Sequence, residues 1–511
     1  MIIATNRAIG EVIQGAIHNF IMNTKRDKKL ALISMNPNNQ NTIPLLEAAK
    51  RYLTFDDAPF YMPGHKRGQG IHPELLHVFG EVVFRLDLPE LPDLEEPLQE
   101  AEILAAQAYG SDRSWFLTNG STTGVQAMLL ATCGQGDKIL IGRNCHQSAI
   151  AGLILNGATP VYLPTDYATD FDLDLGVSPH TLELFLQKHP DAKAVMLVSP
   201  NYFGICSDLC QMAAIAHQFH IPLLVDAAHG AHLGFHDDLP ISALQAGADL
   251  VVQSTHKMAG SLTQSSMLHL RSHLIQPTAI DQALALLRST SPNFLLLISL
   301  DVARYQMAIA GADLLTETLR LSRDARSRLQ QIAPIPTIPT SISPICDATR
   351  LTIMTNQMGI TGFTADTYLR EQFAVTAEMP TLSQLVFSLS FGNTPSDINR
   401  LIHGLQRLSV ASISQTTVPQ LLQHSYKPPN SSAIPPRQAY FAPKSRLPLH
   451  QAIGKISAET ICPYPPGIPL ICIGEEISLE LIETLHMVLA SGGTVTGASD
   501  PHLNSIEIAL I

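Results

Sequence analysis

Between residues 60 and 330 the chain alternates short unbroken apolar runs with longer stretches whose apolar positions recur at helical spacing. Lys138-Ile139-Leu140-Ile141, Ala194-Val195-Met196-Leu197-Val198, Pro222-Leu223-Leu224-Val225 and Leu250-Val251-Val252 read as strands with both faces buried. Trp115-Phe116-Leu117-Thr118 is a further strand. Segments 99–109, 122–132, 147–155 and 208–219 read as the helices between them. Strand–helix alternation at this spacing predicts an α/β fold, a mostly parallel central sheet covered on both faces. Open sheets of this kind bind ligands at the ends of their strands.

The pattern also divides the chain. Residues 1–55 form an N-terminal arm or helical segment ending near Leu45-Leu46-Glu47-Ala48-Ala49-Lys50, and packing on a partner subunit and an uneven leader over 1–35 are both open. Residues 56–330 make the large domain. The run Ile332-Ala333-Pro334-Ile335-Pro336-Thr337-Ile338-Pro339 marks its boundary. Residues 331–410 read as a smaller α/β unit, with strands at 350–355 and 384–390 and helices at 364–372 and 396–409. A Gln-, Ser- and Pro-rich linker over 411–436 leads to a C-terminal domain, 437–511. That last part carries the run Pro463-Tyr464-Pro465-Pro466-Gly467-Ile468-Pro469.

Composition narrows the class. Of 511 residues, 45% are hydrophobic and 15% charged, which suits extensive burial and excludes a disordered chain. A net charge of −12 excludes nucleic acid as a general partner. The basic run Lys25-Arg26-Asp27-Lys28-Lys29 reads as solvated surface. No apolar run reaches membrane-spanning length, and the strongest, Phe294-Leu295-Leu296-Leu297-Ile298, is far too short. The N-terminus lacks the order of a secretory signal, so the expected compartment is the cytoplasm, with an organelle leader left open. Seven scattered cysteines, with Cys206 and Cys210 as the close pair, predict reduced thiols rather than a zinc site.

Chemistry concentrates in three places. Lys257 closes Ser254-Thr255-His256-Lys257 after a strand, Asp226 ends the strand 222–225, and Asn119-Gly120-Ser121-Thr122-Thr123-Gly124 opens a helix after another. Alone, each is ordinary. Together they suit pyridoxal phosphate, with an amine for its aldehyde, a carboxylate for its pyridine nitrogen and helix-start N–H groups for its phosphate. Opposite charges at Asp226 and Lys257 favour both ionised forms where hydrogen bonds offset desolvation. Ser121, Thr122, Ser254 and His256 can bond the phosphate, His256 more strongly when protonated. His146, after the strand 138–141, offers a ring for the cofactor face and a group for proton transfer. The series Asp226, His229, His232 and His236 has metal-like composition, yet the cofactor constellation explains its first two members better, and no metal is expected.

These stretches resemble the bacterial ornithine/lysine/arginine decarboxylases, pyridoxal-phosphate enzymes of fold type I that share the aspartate aminotransferase scaffold. The resemblance is carried by Pro63-Gly64-His65-Lys66, Asn119 to Thr122, Asn144 to Ser148, Asn201-Tyr202-Phe203-Gly204, Asp226-Ala227-Ala228-His229-Gly230-Ala231-His232, Ser254 to Lys257, Ser289-Thr290-Ser291-Pro292, Pro463 to Gly467 and Gly474-Glu475. It implies that Lys257 is the Schiff-base lysine, Asp226 the pyridine-nitrogen partner and His146 the stacking residue. His229 then lies near the phenolic oxygen or the substrate carboxylate. Ser121, Thr122, Ser254 and His256 surround the phosphate, and Thr290 reaches the phosphate of a neighbouring subunit. Pro63 to Lys66 help shape the entrance. The implied assembly is a homodimer or a larger even-numbered oligomer with shared active sites. His65 comes too early for the response-regulator-like domain of the large forms, so the chain resembles the short form.

The implied reaction is decarboxylation of a basic amino acid. The substrate amine displaces Lys257, carbon dioxide leaves, and Lys257, His229 or His146 returns a proton. Arginine is the expected substrate, for polyamine biosynthesis, with lysine next and ornithine third. Asp87, Glu90, Asp93, Glu378 and Glu475 are the acidic residues considered for its distal group. An aminotransferase or aldolase on the same scaffold is the second class, with Arg350 or Arg370 to bind a carboxylate. A non-catalytic pyridoxal-phosphate protein is the third.

Overall fold

The main sheet grows from the apolar runs in chain order. They are β1 (Arg113–Leu117), β2 (Lys138–Gly142), β3 (Thr159–Leu163), the hairpin β4 (Asp166–Ala168) and β5 (Leu173–Gly176), then β6 (Ala194–Val198), β7 (Leu223–Asp226), β8 (Leu250–Gln253) and β9 (Ser266–Leu270). All but the hairpin join in the order β1-β9-β8-β7-β6-β2-β3. β8, β7, β6, β2 and β3 are mutually parallel, while β9 runs antiparallel to both β8 and β1. β1 therefore points the same way as the parallel strands. The computed structural model describes residues 40–88, 95–332, 335, 337–338, 342–343, 345–411, 433–464 and 467–511. Residues 1–39 of the expected arm, most of the expected 411–436 linker, Glu90, Asp93 and Pro465-Pro466 lie outside the described residues.

Period-2 geometry explains why these strands are apolar throughout. Leu140, Val195, Leu197, Leu223, Val225 and Val251 pack on one face of the sheet. Ile139, Ile141, Ala194, Met196, Leu224, Leu250 and Val252 pack on the other. Neighbours in sequence point to opposite faces, and helices cover both, so the interior positions of the parallel strands are apolar. Gly120–Thr132 and Gln147–Asn156 supply one cover, and Leu209–Gln218 belongs to the other.

Phe294-Leu295-Leu296-Leu297-Ile298 opens a helix running from Phe294 to Gln330. By length and composition this helix passes as long and apolar enough to cross a membrane, which the five-residue run did not foretell. Half of its most apolar window is buried inside the protein. The fully buried pair Asp301–Arg304 ties it to the rest, since Asp301 Oδ2 also accepts the backbone N–H of Leu45 at 2.9 Å.

A smaller antiparallel sheet follows, β10 (Arg350–Met354), β11 (Met379–Pro380) and β12 (Gln384–Ser388), in the order β10-β12-β11. Helices Gly362–Phe373 and Pro395–Val410 pack with it, and Thr394 and Asp397 form a capping box at the second. Gln384 Nε2 donates to the carbonyls of Phe171 (2.8 Å) and Asp172 (2.6 Å), bracing this sheet against the β4–β5 hairpin.

The C-terminal region pairs β13 (Lys444–Pro448) with β16 (Ser505–Ala509), and β14 (Cys462–Tyr464) with β15 (Thr494–Thr496). Leu449, Ile461, Ile471, Leu481, Leu485 and Ile506 form its core. It is tied to the main sheet by Arg143, which follows β2. That guanidinium donates to the carbonyls of Pro469 (2.7 Å) and Leu470 (3.0 Å) and to Glu475 Oε2 (3.1 Å). Glu475 is fully buried, and its second contact is the N–H of Cys472 at 2.7 Å. Breaking a buried pair from one side strands the other charge, at a cost of roughly 3–5 kcal/mol. Glu475→Ala is expected to lower the unfolding free energy measured in urea by a corresponding amount, whereas the exposed pair partner Glu317→Ala leaves it within about 0.5 kcal/mol of wild type.

Candidate active site

Each parallel strand ends in a loop that carries a polar residue, and the loops meet at one edge of the sheet. Thr118 to Ser121 follow β1, Asn144 to His146 follow β2, Ser199 to Tyr202 follow β6, Asp226 to His229 end and follow β7, and Ser254 to Lys257 follow β8. Thr255–Met258 is a single helical turn, so Lys257 is carried on a short, sheet-anchored element.

Lys257 Nζ lies 3.1 Å from His229 Nε2 and 5.9 Å from the ring centre of Tyr202. His229 is buried, its ring 4.7 Å from that of Tyr202. Its other nitrogen, Nδ1, lies 2.8 Å from Arg350 Nη2. Asp226 is buried at the end of β7, accepting the N–H of Ala228 at 3.1 Å. Burial is the largest influence on how this cluster titrates. It raises the Asp226 carboxyl against the pull of His146 and Lys257, and it lowers the Lys257 amine against the pull of Asp226. Both shifts run toward the neutral forms, because desolvation is larger here than the attraction of opposite charges. His229 is held well below the usual histidine range by burial, then by Lys257 and Arg350.

His146 caps the helix Gln147–Asn156, its Nδ1 accepting the N–H of Ser148 at 3.2 Å. A neutral ring then carries its proton on Nε2. That edge faces the Pro-rich run of the C-terminal region, since a side chain at Gly467 would come within 3.6 Å of His146 Nε2. Burial lowers His146 as well.

The helix Gly120–Thr132 begins without a side-chain cap on its first N–H groups, because Asn119 makes none. Ser254 Oγ donates to Ser121 Oγ at 2.8 Å, which brings the β8 loop against this helix start. Thr122 stands exposed on the first turn. His256 Nδ1 lies 2.9 Å from the Ser265 carbonyl and must donate to it, so a neutral ring keeps its lone pair on Nε2. Burial lowers His256, opposed by that carbonyl. Bound anion at Nε2 would favour the protonated ring.

Other expected residues stand elsewhere. Thr290 is exposed in the loop between helices Pro277–Leu287 and Phe294–Gln330. His232 contacts Asp347 at 3.1 Å in a fully buried pair, and His236 bonds Thr316 at 3.0 Å on the surface. Among the described residues no group of histidine, cysteine and acidic side chains is arranged to hold a metal. Of the acidic residues considered for the substrate, Glu475 is held by Arg143, and Asp87 lies 3.2 Å from His65. Glu378 is exposed, and its charge is felt by Lys257, Arg350, His256 and Tyr202. Arg370 pairs loosely with Asp366, whereas Arg350 is drawn into the cluster.

Arg350 reaches His229 because two segments interlock. Ile205 pairs with Cys346, and the N–H of Asp347 donates to the Gly204 carbonyl at 2.8 Å. A Cβ at Gly204 would fall 2.7 Å from Arg350 Cγ, and φ there is +84°, so glycine lets the arginine pass the loop. Sequence reading treated Arg350 only as a carboxylate binder for a different reaction. Its signal is faint, since only the loop's Gly204 and the strand start at 350 mark it.

The chain matches the family described as Orn/Lys/Arg decarboxylase, by its major-domain model over residues 43–356 and its C-terminal-domain model over residues 419–495. It is 36% identical over 480 residues to an arginine decarboxylase of Bacillus subtilis, covering 92% of this chain and 98% of that one. It is 34% identical to an arginine decarboxylase of Bacillus anthracis, covering 92% and 97% respectively. Its fold is that of the lysine decarboxylase LdcF of Francisella novicida, at a TM-score of 0.76 and 21% identity, over 91% of this chain and 81% of that one. The large parallel-sheet domain and smaller α/β parts are those of fold type I.

Proposed function

We propose that this chain, which belongs to the Orn/Lys/Arg decarboxylase family, converts L-arginine to agmatine and carbon dioxide. It is a pyridoxal-phosphate enzyme that removes carbon dioxide from a basic amino acid. Arginine is favoured over lysine and ornithine because relatives named for arginine decarboxylase match nearly the whole chain. In sequence, those named for lysine or ornithine match little more than half of it, as does the biodegradative arginine decarboxylase of Escherichia coli.

The observation that carries the assignment of roles is the meeting of Lys257, Asp226, His146, Ser121 and Ser254 at one sheet edge. This donor set fits the cofactor. The uncapped helix start, with Ser121, Thr122, Ser254 and His256, suits the phosphate. Asp226 suits the pyridine nitrogen, His146 a ring face, and Lys257 the aldehyde. When bound, the cofactor supplies an electron sink for the pair left by departing carbon dioxide.

The protein's own groups then have separate tasks. Asp226, buried and with Ala228 fixing one oxygen, holds a proton at its carboxylate edge. Lys257, whose amine burial lowers from the usual lysine range, would carry the aldehyde and hold or move protons at its Nζ. His229 orients that amine, and Tyr202 walls the site beside it. Glu378 accepts the distal guanidinium, a pairing that two parallel N–H donors strengthen. Thr290 completes the phosphate site of a second copy, and the assembly is a homodimer or a larger even-numbered oligomer. Exposed Phe55, Phe60, Met62, Val78, Phe79 and Val82 support such an interface. Seven free cysteines suit the cytoplasm.

Carbon dioxide release is to be measured on arginine, lysine and ornithine supplied separately to cofactor-loaded protein. Arginine is expected to be turned over at least tenfold better than either other substrate, and Lys257→Ala to abolish release, whereas equal or absent release from arginine defeats the proposal. Glu378→Gln is expected to raise KM for arginine on the order of tenfold with kcat within about twofold, the mark of lost side-chain binding. A fall in kcat alone would remove Glu378 from that role. Sedimentation of the loaded protein is expected to show an even-numbered oligomer, which Phe79→Asp and Val82→Asp together weaken. A monomer retaining full activity contradicts the shared-site arrangement.

A further inference from the structure

We infer that Arg350 is a positioning residue that locks His229 with its Nε2–H directed at Lys257, so that the lysine amine is held as a hydrogen-bond acceptor with its lone pair engaged at one fixed site. The inference rests on the proposed role of Lys257 and deepens it.

The logic is one of donors and acceptors. A guanidinium has N–H donors and no acceptor. Arg350 Nη2 lies 2.8 Å from His229 Nδ1, so that nitrogen must present its lone pair. A neutral imidazole then carries its single proton on Nε2. Nε2 lies 3.1 Å from Lys257 Nζ, and a donor there requires Lys257 to accept. The opposite tautomer would set two N–H groups against each other at Nδ1. An ammonium at Lys257 would do the same at Nε2. One arrangement of the three groups satisfies both contacts, and it has the charge on Arg350 alone.

The surroundings hold that arrangement in place. Arg350 is buried, and its other terminal nitrogen, Nη1, bonds Ser388 Oγ on the neighbouring strand β12. Its backbone is pinned by Asp347, whose carbonyl accepts the Arg350 N–H at 3.1 Å. The charged and titratable groups acting on His229 are Lys257, Arg350, His146 and His232, with Tyr202 against its ring. Those acting on Lys257 are Asp226, Arg350 and Glu378, with His229 and Tyr202 in contact. Burial and Arg350 both press the amine toward its neutral form, and Asp226 and Glu378 oppose them.

A relay through His229 differs from a bare charge effect. If Arg350 acted only by its charge, replacing His229 would leave its influence on Lys257 intact. If it acts through the ring, the influence disappears with the ring. A double-mutant cycle separates the two.

The readout is the rate at which unloaded, full-length protein takes up pyridoxal phosphate covalently, followed by absorbance across pH. In that step the Lys257 lone pair attacks the aldehyde carbon, a carbon–nitrogen bond forms and water leaves, so its pH midpoint follows the amine. Arg350→Met is expected to raise the midpoint by about one unit, because His229 is freed to turn a lone pair toward an ammonium. In the H229N background the same replacement is expected to shift it by less than about a third of that. Arg350→Lys, which keeps the charge and is the milder change to a buried site, is expected to shift the midpoint in the same direction by about half a unit and to lose that shift in H229N. An equal shift in both backgrounds, or no shift in either arginine variant, overturns the relay. Uptake that persists in Lys257→Ala would instead defeat the assignment of Lys257, and a normal cycle in a protein releasing no carbon dioxide would defeat the proposed reaction alone.

Discussion

Desolvation at the strand ends governs this site. Covering the sheet on both faces leaves Asp226 and His229 buried and Lys257 partly buried at the one edge where polar groups collect. Water removal disfavours every charged form, and here it outweighs the attraction between the carboxylate and the amine. The Lys257 amine is thereby lowered and the Asp226 carboxyl raised from their usual ranges.

The second constraint is the seam between the main sheet and the β10–β12 sheet. Loop 201–206 and segment 345–350 hold each other through backbone bonds, and the bracing of the β4–β5 hairpin by Gln384 fixes the seam at a second point. Arg350 crosses it. The contacts from Lys257 to His229 and from His229 to Arg350 thereby run from the main sheet to the smaller one.

The C-terminal region contributes differently. Arg143 follows β2 only three residues before His146, and it binds the backbone at 469–470 together with Glu475. The same anchoring brings Gly467 to the outer edge of His146. A buried ion pair of this kind is a registration device more than a source of stability, since its desolvation offsets much of its attraction.

The sequence by itself determined the strand–helix alternation, the apolar runs of β2, β6, β7 and β8, and the polar residues at their ends. Local pattern is enough for these, because a doubly covered strand must be apolar at every position and a ligand edge must be polar where the strand stops. It did not display β3 or β9, whose Thr159-Pro160 and His269 break the apolar run. His269 is tolerated because Ser114, its partner across the β1–β9 pair, bonds its Nδ1 at 2.7 Å. The metal-like histidine series was equally undecidable from spacing, and the fold sent His229, His232 and His236 to three different partners. Tertiary structure alone decided that Glu475 belongs to Arg143, that Arg350 belongs to His229, and that Asp226 and Lys257 are driven toward neutrality. Those outcomes depend on which distant groups share a dry space, and residue order carries no measure of burial or of distance.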